Sequence, residues 1–254
     1  MERQVSYEDY VNDQKHMDQY ADYQKKYMHT LRENDKRFIE EIQKFIAASD
    51  QSAKDIKLLD IGCSTGNLLL HIRHVIPGAQ LSGADLVDKI IQDNRQNADL
   101  KGIQFDVMDI VQTKNVEPTY NVIVMNAVSQ FFDDEQLQQS MANIHHLLKP
   151  GGRFIAFEYL HPFDQEVTVI QETVNHPNGL KQRYRGYKSV RECLQSAGFV
   201  NVGFKPFEIG IDLPRPQDHL GTQSYTINNG EGDRMIFRGV LFQPWCFLLA
   251  DKAA

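Results

Sequence analysis

Three cysteines in 254 residues (Cys63, Cys193 and Cys246) lie too far apart for a disulfide framework, and no CxxC pair offers a zinc knuckle. No window approaches the ~18 apolar residues of a membrane-spanning helix. The opening MERQVSYEDYVNDQKH is too polar for a secretory leader. A basic excess is missing as well. Lys and Arg number 27 against 34 Asp and Glu, a net charge of −7, which argues against a dedicated duplex-binding protein. Internal repeats, low-complexity tracts and a Pro/Gly/Ser linker are all lacking. These absences lead us to expect a protein of the reducing cytoplasm with no membrane, nucleic-acid or metal partner. What is present, 41% hydrophobic and 24% charged residues, suits an ordinary globular chain with a sizeable core.

Residues 7–48 read as helix. Phe38, Ile42 and Phe45 keep a 3.6-residue period, and five of the ten tyrosines fall between Tyr7 and Tyr27. The rings either dock this helix on the body or face a ligand from a lid. From residue 56 onward, short apolar runs alternate with amphipathic helices. Strands are expected at 56–61, 79–85, 103–109, 120–128 and 153–160, with helices at 67–76, 87–97 and 134–148. Strands alternating with helices imply βαβ crossovers, hence an α/β fold with a mostly parallel sheet covered on both faces. Residues 161–186 read as a polar loop. After them come a helix over 187–198, a strand over 199–209, a hairpin at 222–242 around Asn228-Asn229-Gly230, and a last strand at 245–250. We therefore expect residues 1–50 as a helical lid and 51–254 as one domain carrying the hairpin.

The most informative stretch is Leu58-Leu59-Asp60-Ile61-Gly62-Cys63-Ser64-Thr65-Gly66-Asn67-Leu68. A buried strand delivers a small-residue turn that opens a helix, so a ligand can approach backbone N–H groups closely. Such crevices lie at the carboxyl ends of parallel strands. Asp85 ends the next strand, where a carboxylate can accept from ribose hydroxyls or cap the helix that follows. The dinucleotide fingerprint GxGxxG fails, because Ser64 and Asn67 stand at its second and third glycines. Cys63 has no nearby histidine in sequence and reads as a packing residue. The pairs His71/His74 and His145/His146 have metal-like spacing. Without clustered acidic or thiol ligands they read as exposed helix faces.

The turn Asp60-Ile61-Gly62-Cys63-Ser64-Thr65-Gly66 resembles the first motif, DxGxGxG, of class I S-adenosylmethionine-dependent methyltransferases, with Ser64 at the middle glycine. If the turn needs positive φ there, serine carries a strain cost. The resemblance continues in order through Asp85, FDVMDI (105–110), YNVIVMNAVSQFF (120–132), LLKPGGRFIAFEY (147–159) and SAGFVNV (196–202). It implies a Rossmann-like, doubly wound sheet of seven strands with the last antiparallel, and S-adenosylmethionine as cofactor. The implied cradle is Asp60, Gly62, Cys63, Ser64, Gly66, Asp85, Leu86, Met108, Asp109 and Asn126, with Tyr20 from the lid. Asp106 competes with Asp109 for the adenine amine.

Methyl transfer is an in-line displacement in which the protein aligns the acceptor and, for hydroxyl or ammonium groups, removes a proton. His161, leaving the fifth strand, is the leading base, with Glu158 second. Asn126-Ala127-Val128-Ser129 lacks the Asn/Asp-Pro-Pro-aromatic segment of amino-methylating nucleic-acid enzymes, so a small-molecule acceptor is favoured. Residues 181–240 hold nine basic and six acidic side chains, which raises an anionic acceptor held by Arg183 and Arg215 with Tyr10 from the lid. The rival to an enzyme is a non-catalytic adenosylmethionine-binding or partner protein on the same fold, and the third reading is a nicotinamide oxidoreductase. The hairpin edge could also pair with a second copy, giving a homodimer.

Overall fold

The computed structural model describes residues 17, 21–22, 24–49, 51–113, 117–172, 179–208, 224–228, 234–238, 241–242 and 244–254. Tyr10, Tyr20 and Arg215 lie outside the described residues.

Helix α1 spans Glu33–Ala48 rather than continuing the N-terminal helix, because a new capping box starts it. The Arg32 N–H donates to Asp35 Oδ2 at 3.2 Å, and residues 30–32 are non-helical. Its Phe38 and Ile42 are fully buried, so this helix belongs to the core. The alternating pattern then follows as expected: β1 (Lys57–Ile61), α2 (Asn67–Val75), β2 (Gln80–Asp85), α3 (Asp88–Gln96), β3 (Gln104–Val107), β4 (Tyr120–Asn126), α4 (Asp134–Leu147) and β5 (Leu148–His161). The interval read as a polar loop instead contains β6 (Val167–Gln171) and β7 (Leu180–Gly186), paired antiparallel. Leu180, Gln182 and Tyr184 do alternate with Lys181, Arg183 and Arg185, but arginine and glutamine in inward positions hide the apolar half of that period. Helix α5 (Tyr187–Ser196), β8 (Phe199–Pro206), β9 (Ser224–Asn228), β10 (Arg234–Arg238), β11 (Leu241–Phe242) and β12 (Trp245–Lys252) complete the chain.

Seven strands run in the order β3-β2-β1-β4-β5-β12-β8. Neighbours from β3 to β5 pair parallel, and β12 is antiparallel to both β5 and β8. The doubly wound sheet with an antiparallel last strand is thus present, with β7 added beside the end of β5. The expected hairpin is present as β9–β10, joined by β11 in a separate three-stranded sheet.

Each face of the sheet carries its own core. Leu58, Phe157 and Phe247 pack with Phe38, Ile42, Leu69 and Ile72 of α1 and α2. Leu59, Ile123 and Phe154 pack with Ile144 and Leu194 of α4 and α5. Adjacent residues Leu58 and Leu59 point to opposite cores, which is why β1 reads as an unbroken apolar run. Among the described residues, no helix is long and apolar enough to cross a membrane.

Candidate functional site

At the carboxyl ends of β1, β2 and β4 the chain makes turns around a cleft of about 710 Å³, open to solvent. Gly62, Ser64, Asp85, Leu86, Met108, Asp109 and Asn126 all line it, so the cradle residues from four separate segments converge. Asp60 and Cys63 lie buried just beneath.

The first turn is built on the backbone. The Gly62 and Cys63 N–H groups both donate to Ala84 O, at 2.8 and 3.0 Å, tying the turn to the end of β2. Gly62 has φ +70°, and a Cβ there would stand 2.4 Å from Val128 Cγ2, so only glycine fits. Ser64 does take positive φ, +46°. Its N–H donates to Asp85 Oδ2 at 2.9 Å, and the Val87 N–H donates to Asp85 Oδ1 at 3.0 Å. Asp85 therefore lines the cleft and ties down the chain ahead of α3, but it is not the helix cap: Val87 holds that position with no side-chain cap bond. The Asn67 amide, opening α2, donates to Gln24 O at 2.9 Å and fastens the N-terminal segment to this turn.

Acid is concentrated here. Burial, then the charges of Asp85 and Asp35, push the Asp60 carboxyl well above the usual carboxylate range. Burial likewise raises Asp85 against its amide donors. Asp60 Oδ1 and Ser64 Oγ are buried with no hydrogen-bond partner. Unpaired acceptors in a carboxylate-rich pocket fit a cationic ligand that also carries donors, and adenosylmethionine has a sulfonium, an ammonium and ribose hydroxyls.

Asp109 and Asp106 separate cleanly. Asp109 lines the cleft and accepts from the Val111 N–H at 2.9 Å, whereas Asp106 faces outward toward Arg95 at 3.2 Å. Cys63 is buried and its thiol is pushed well up, chiefly by burial, as a packing residue should be. His71 departs from the reading of an exposed face. It is buried where α2 meets the chain before α1, its Nε2 without a partner, while His74 is exposed. Among the described residues, no group of three or more His, Cys, Asp or Glu could hold a metal.

Both candidate bases sit at the end of β5. His161 is 3% exposed and neither ring nitrogen has a hydrogen-bond partner. Glu158 is buried too, but its carboxylate is occupied. Oε1 accepts from the Val128 and Ser129 N–H groups at 2.9 and 3.0 Å, and Oε2 from Gln130 at 3.2 Å. Burial pushes it up to about 7 against those donors. Arg183 is likewise engaged, Nη1 donating to Phe132 O at 2.9 Å. Other cations of the basic stretch are spoken for: Lys205 pairs with Glu41 at 2.8 Å, Arg191 donates to Val202 O, and Lys188 pairs with Asp164.

Sequence reasoning missed several lining residues, notably Met17, Ala127, Phe131 and Phe132. Met17 lies in a polar stretch with no local signal. The aromatic pair Phe131-Phe132, which ends the matched segment 120–132, is the available clue.

Strand order, glycine turn and acid-tipped second strand together define a nucleoside-binding, doubly wound protein of the methyltransferase type. Residues 59–154 match the family model described as methyltransferase domain. Those residues form a methyltransferase domain of the class I S-adenosylmethionine-dependent type. The chain is 26% identical over 194 residues to malonyl-[acyl-carrier protein] O-methyltransferase of Bacillus anthracis, covering 73% of this chain and 66% of that protein. It is 20% identical over 187 residues to a ubiquinone/menaquinone biosynthesis C-methyltransferase of Desulfotalea psychrophila, covering 66% and 75%. Among solved structures, human N-acetylserotonin methyltransferase in complex with S-adenosylmethionine aligns at TM-score 0.52 and 17% identity, over 85% of this chain and 55% of that one. A putative methyltransferase of Haloferax volcanii, in complex with a methyltransferase activator, aligns at TM-score 0.59 and 14% identity, over 94% and 97%. At such identities the structural likenesses speak for the fold alone. The chain spans just under two thirds of the length of the Bacillus anthracis relative.

Proposed function

We propose that this chain catalyses methyl transfer from S-adenosylmethionine to an oxygen or nitrogen of a small metabolite. The observation that carries the reading is the pairing of a glycine turn with unpaired, buried Asp60 and Ser64 acceptors beside Asp85. Bound there, the cofactor supplies an electrophilic methyl on a positively charged sulfur. Asp60 and Asp85 would hold its cationic and hydroxyl groups, Asp109 and Met108 the adenine, and Gly62 the close backbone approach.

His161 is the residue we assign to take the acceptor's proton. It lies at the carboxyl end of β5, is 3% exposed, and has both nitrogens free of protein partners. A buried imidazole without a partner is costly unless a ligand completes it. Replacing His161 by Ala should lower turnover at saturating acceptor by about 100-fold or more and leave cofactor affinity within a few-fold. Unchanged turnover would remove the assignment.

An anionic acceptor draws no support from Arg183, whose guanidinium is used within the protein. Calorimetric titration with S-adenosylmethionine, S-adenosylhomocysteine and NADH tests the cofactor reading. Incubation of cell extract with methyl-labelled cofactor then finds the acceptor and separates catalysis from mere binding. Binding of NADH in preference to the sulfonium would overturn the reading.

A further inference from the structure

The turn after β4, residues 127–132, forms the wall of the cofactor cleft next to the glycine turn, through Ala127, Val128, Phe131 and Phe132. Within the turn, the Phe131 and Phe132 N–H groups donate to Val128 O and Ser129 O at 3.2 and 3.1 Å. The turn begins at Ala127 with φ +59°, a conformation that disfavours residues with a Cβ, and passes into a single 3-10 turn over Ser129–Phe131. Its polar backbone groups are also taken up by side chains from two other strands. On the β5 side, Glu158 accepts from three consecutive amides, Val128, Ser129 and Gln130, at 2.9, 3.0 and 3.2 Å. On the β7 side, Arg185 donates to Ser129 O at 3.0 Å and to Phe132 O at 2.6 Å, and Arg183 adds a bond to Phe132 O at 2.9 Å. Arg185 is itself 3% exposed, and Asp134 approaches it at 3.4 Å.

We infer that Glu158, Arg183 and Arg185 are positioning residues for methyl transfer: a carboxylate and two guanidiniums grip one turn from opposite sides and fix it against the cofactor. The inference rests on the cofactor reading of this cleft. Val128 is the point of transmission, because its Cγ2 occupies the space that the missing side chain of Gly62 leaves open. A shift of the turn by a fraction of an ångström would press Val128 into the glycine turn or withdraw it. Such a device also accounts for an otherwise puzzling expense, since burying a carboxylate and a guanidinium is costly unless each is fully hydrogen-bonded.

The grip is specific to a carboxylate. A glutamine at 158 has one acceptor oxygen, and its NH2 would face an amide that also donates. Glu158→Gln should therefore raise the dissociation constants of S-adenosylmethionine and S-adenosylhomocysteine by about tenfold or more while far-ultraviolet circular dichroism stays native. Arg185→Lys, which keeps the charge but loses the fork reaching two carbonyls, should raise them about three- to tenfold. A control breaks a comparable pair elsewhere: Asp251→Asn removes the partner of Arg153, 2.7 Å away on β12. It should lower the melting temperature without moving either constant. Should Glu158→Gln fail to fold, Arg185→Lys and Arg183→Gln carry the decision.

Unchanged affinity in the folded variants overturns the inference, and so does an equal loss in Asp251→Asn, which would mean general destabilisation. Failure of the unaltered protein to bind either ligand would instead remove the cofactor reading itself.

Discussion

The two cleft turns that meet at Gly62 and Val128 are held in different ways. The turn at 62–66 is held mostly through backbone groups of its own: two amides share Ala84 O, a third reaches the Asp85 carboxylate, Ser64 O accepts from the Asn94 amide at 2.6 Å, and small residues accept left-handed φ values. The turn at 127–132 is held by charged side chains 28 to 56 residues away in sequence. The first leaves buried acceptors on Asp60 and Ser64 unpaired, and the second has its backbone satisfied by partners. Ligand affinity thus concentrates at the locally built turn, and the remote grip supplies the rigid counter-surface. Preorganisation of this sort lowers the ordering cost of binding.

The largest expected effect comes from making the two turns collide. Gly62→Ala introduces a Cβ 2.4 Å from Val128 Cγ2 at φ +70°. Overpacking and left-handed strain together should cost about 4 kcal/mol, read by urea unfolding, and abolish measurable cofactor binding. If Val128 is the contact between the turns, Gly62→Ala with Val128→Ala should recover about 1–2 kcal/mol more than the two single changes predict. Strict additivity would show that the turns are independent and break the comparison.

A smaller effect separates the turns by pH. Burial holds Glu158 at about 7, above the ~4.3 of a glutamate in an unfolded chain. The native state then binds the proton more tightly than the unfolded state. Stability from this group is accordingly greatest below pH ~4.3 and falls as pH rises to about 7, by ~4 kcal/mol at most. The groups against it are the amides of Val128, Ser129 and Gln130 and the Ser129 hydroxyl. Stability curves at pH 5 and 8 should show a shallower fall in Glu158→Gln than in the unaltered protein. Part of the fall should remain, because burial raises Asp60 and Asp85 in the same direction. Parallel curves would show that Glu158 stays ionised throughout. Cofactor affinity should move the other way and strengthen toward pH 8, where the ionised carboxylate grips its three amides. The second wall is thus bought with stability, a trade expected of functional sites.

The same contrast decides what could be read from the sequence. The strands of the sheet and the first turn are legible because their signals are local: apolar runs, a glycine turn, an acid at the end of a strand. Asp109 and Asn126 fall where their motifs place them. The grip was not legible, since nothing near Glu158 in sequence says that three amides thirty residues earlier need it. Its place near the end of β5 made it the second candidate for the general base. Strand β7 was lost for a related reason: Arg183 and Arg185 gave a polar texture to residues whose job is to reach inward. His71 was misplaced because a lone helical histidine gives no sign of the segment that will cover it.

The smallest effect tests whether the first turn is as self-sufficient as its backbone bonds indicate. Ser64 holds φ +46° in the place where the motif it resembles has glycine, and its hydroxyl is buried without a partner. Two costs are therefore concentrated on one residue, left-handed strain of ~1–2 kcal/mol and an unsatisfied hydroxyl. Ser64→Gly relieves both but gives the unfolded chain more freedom, an opposing term of ~1 kcal/mol. The net should be a gain of about 1 kcal/mol in urea unfolding. Affinity for S-adenosylhomocysteine is the informative readout. If the hydroxyl waits for the cofactor, the more stable variant binds it several-fold more weakly, and the strain is maintained for function. If affinity holds or improves, Ser64 is only a tolerated departure, and the role of unpaired acceptor falls to Asp60 alone.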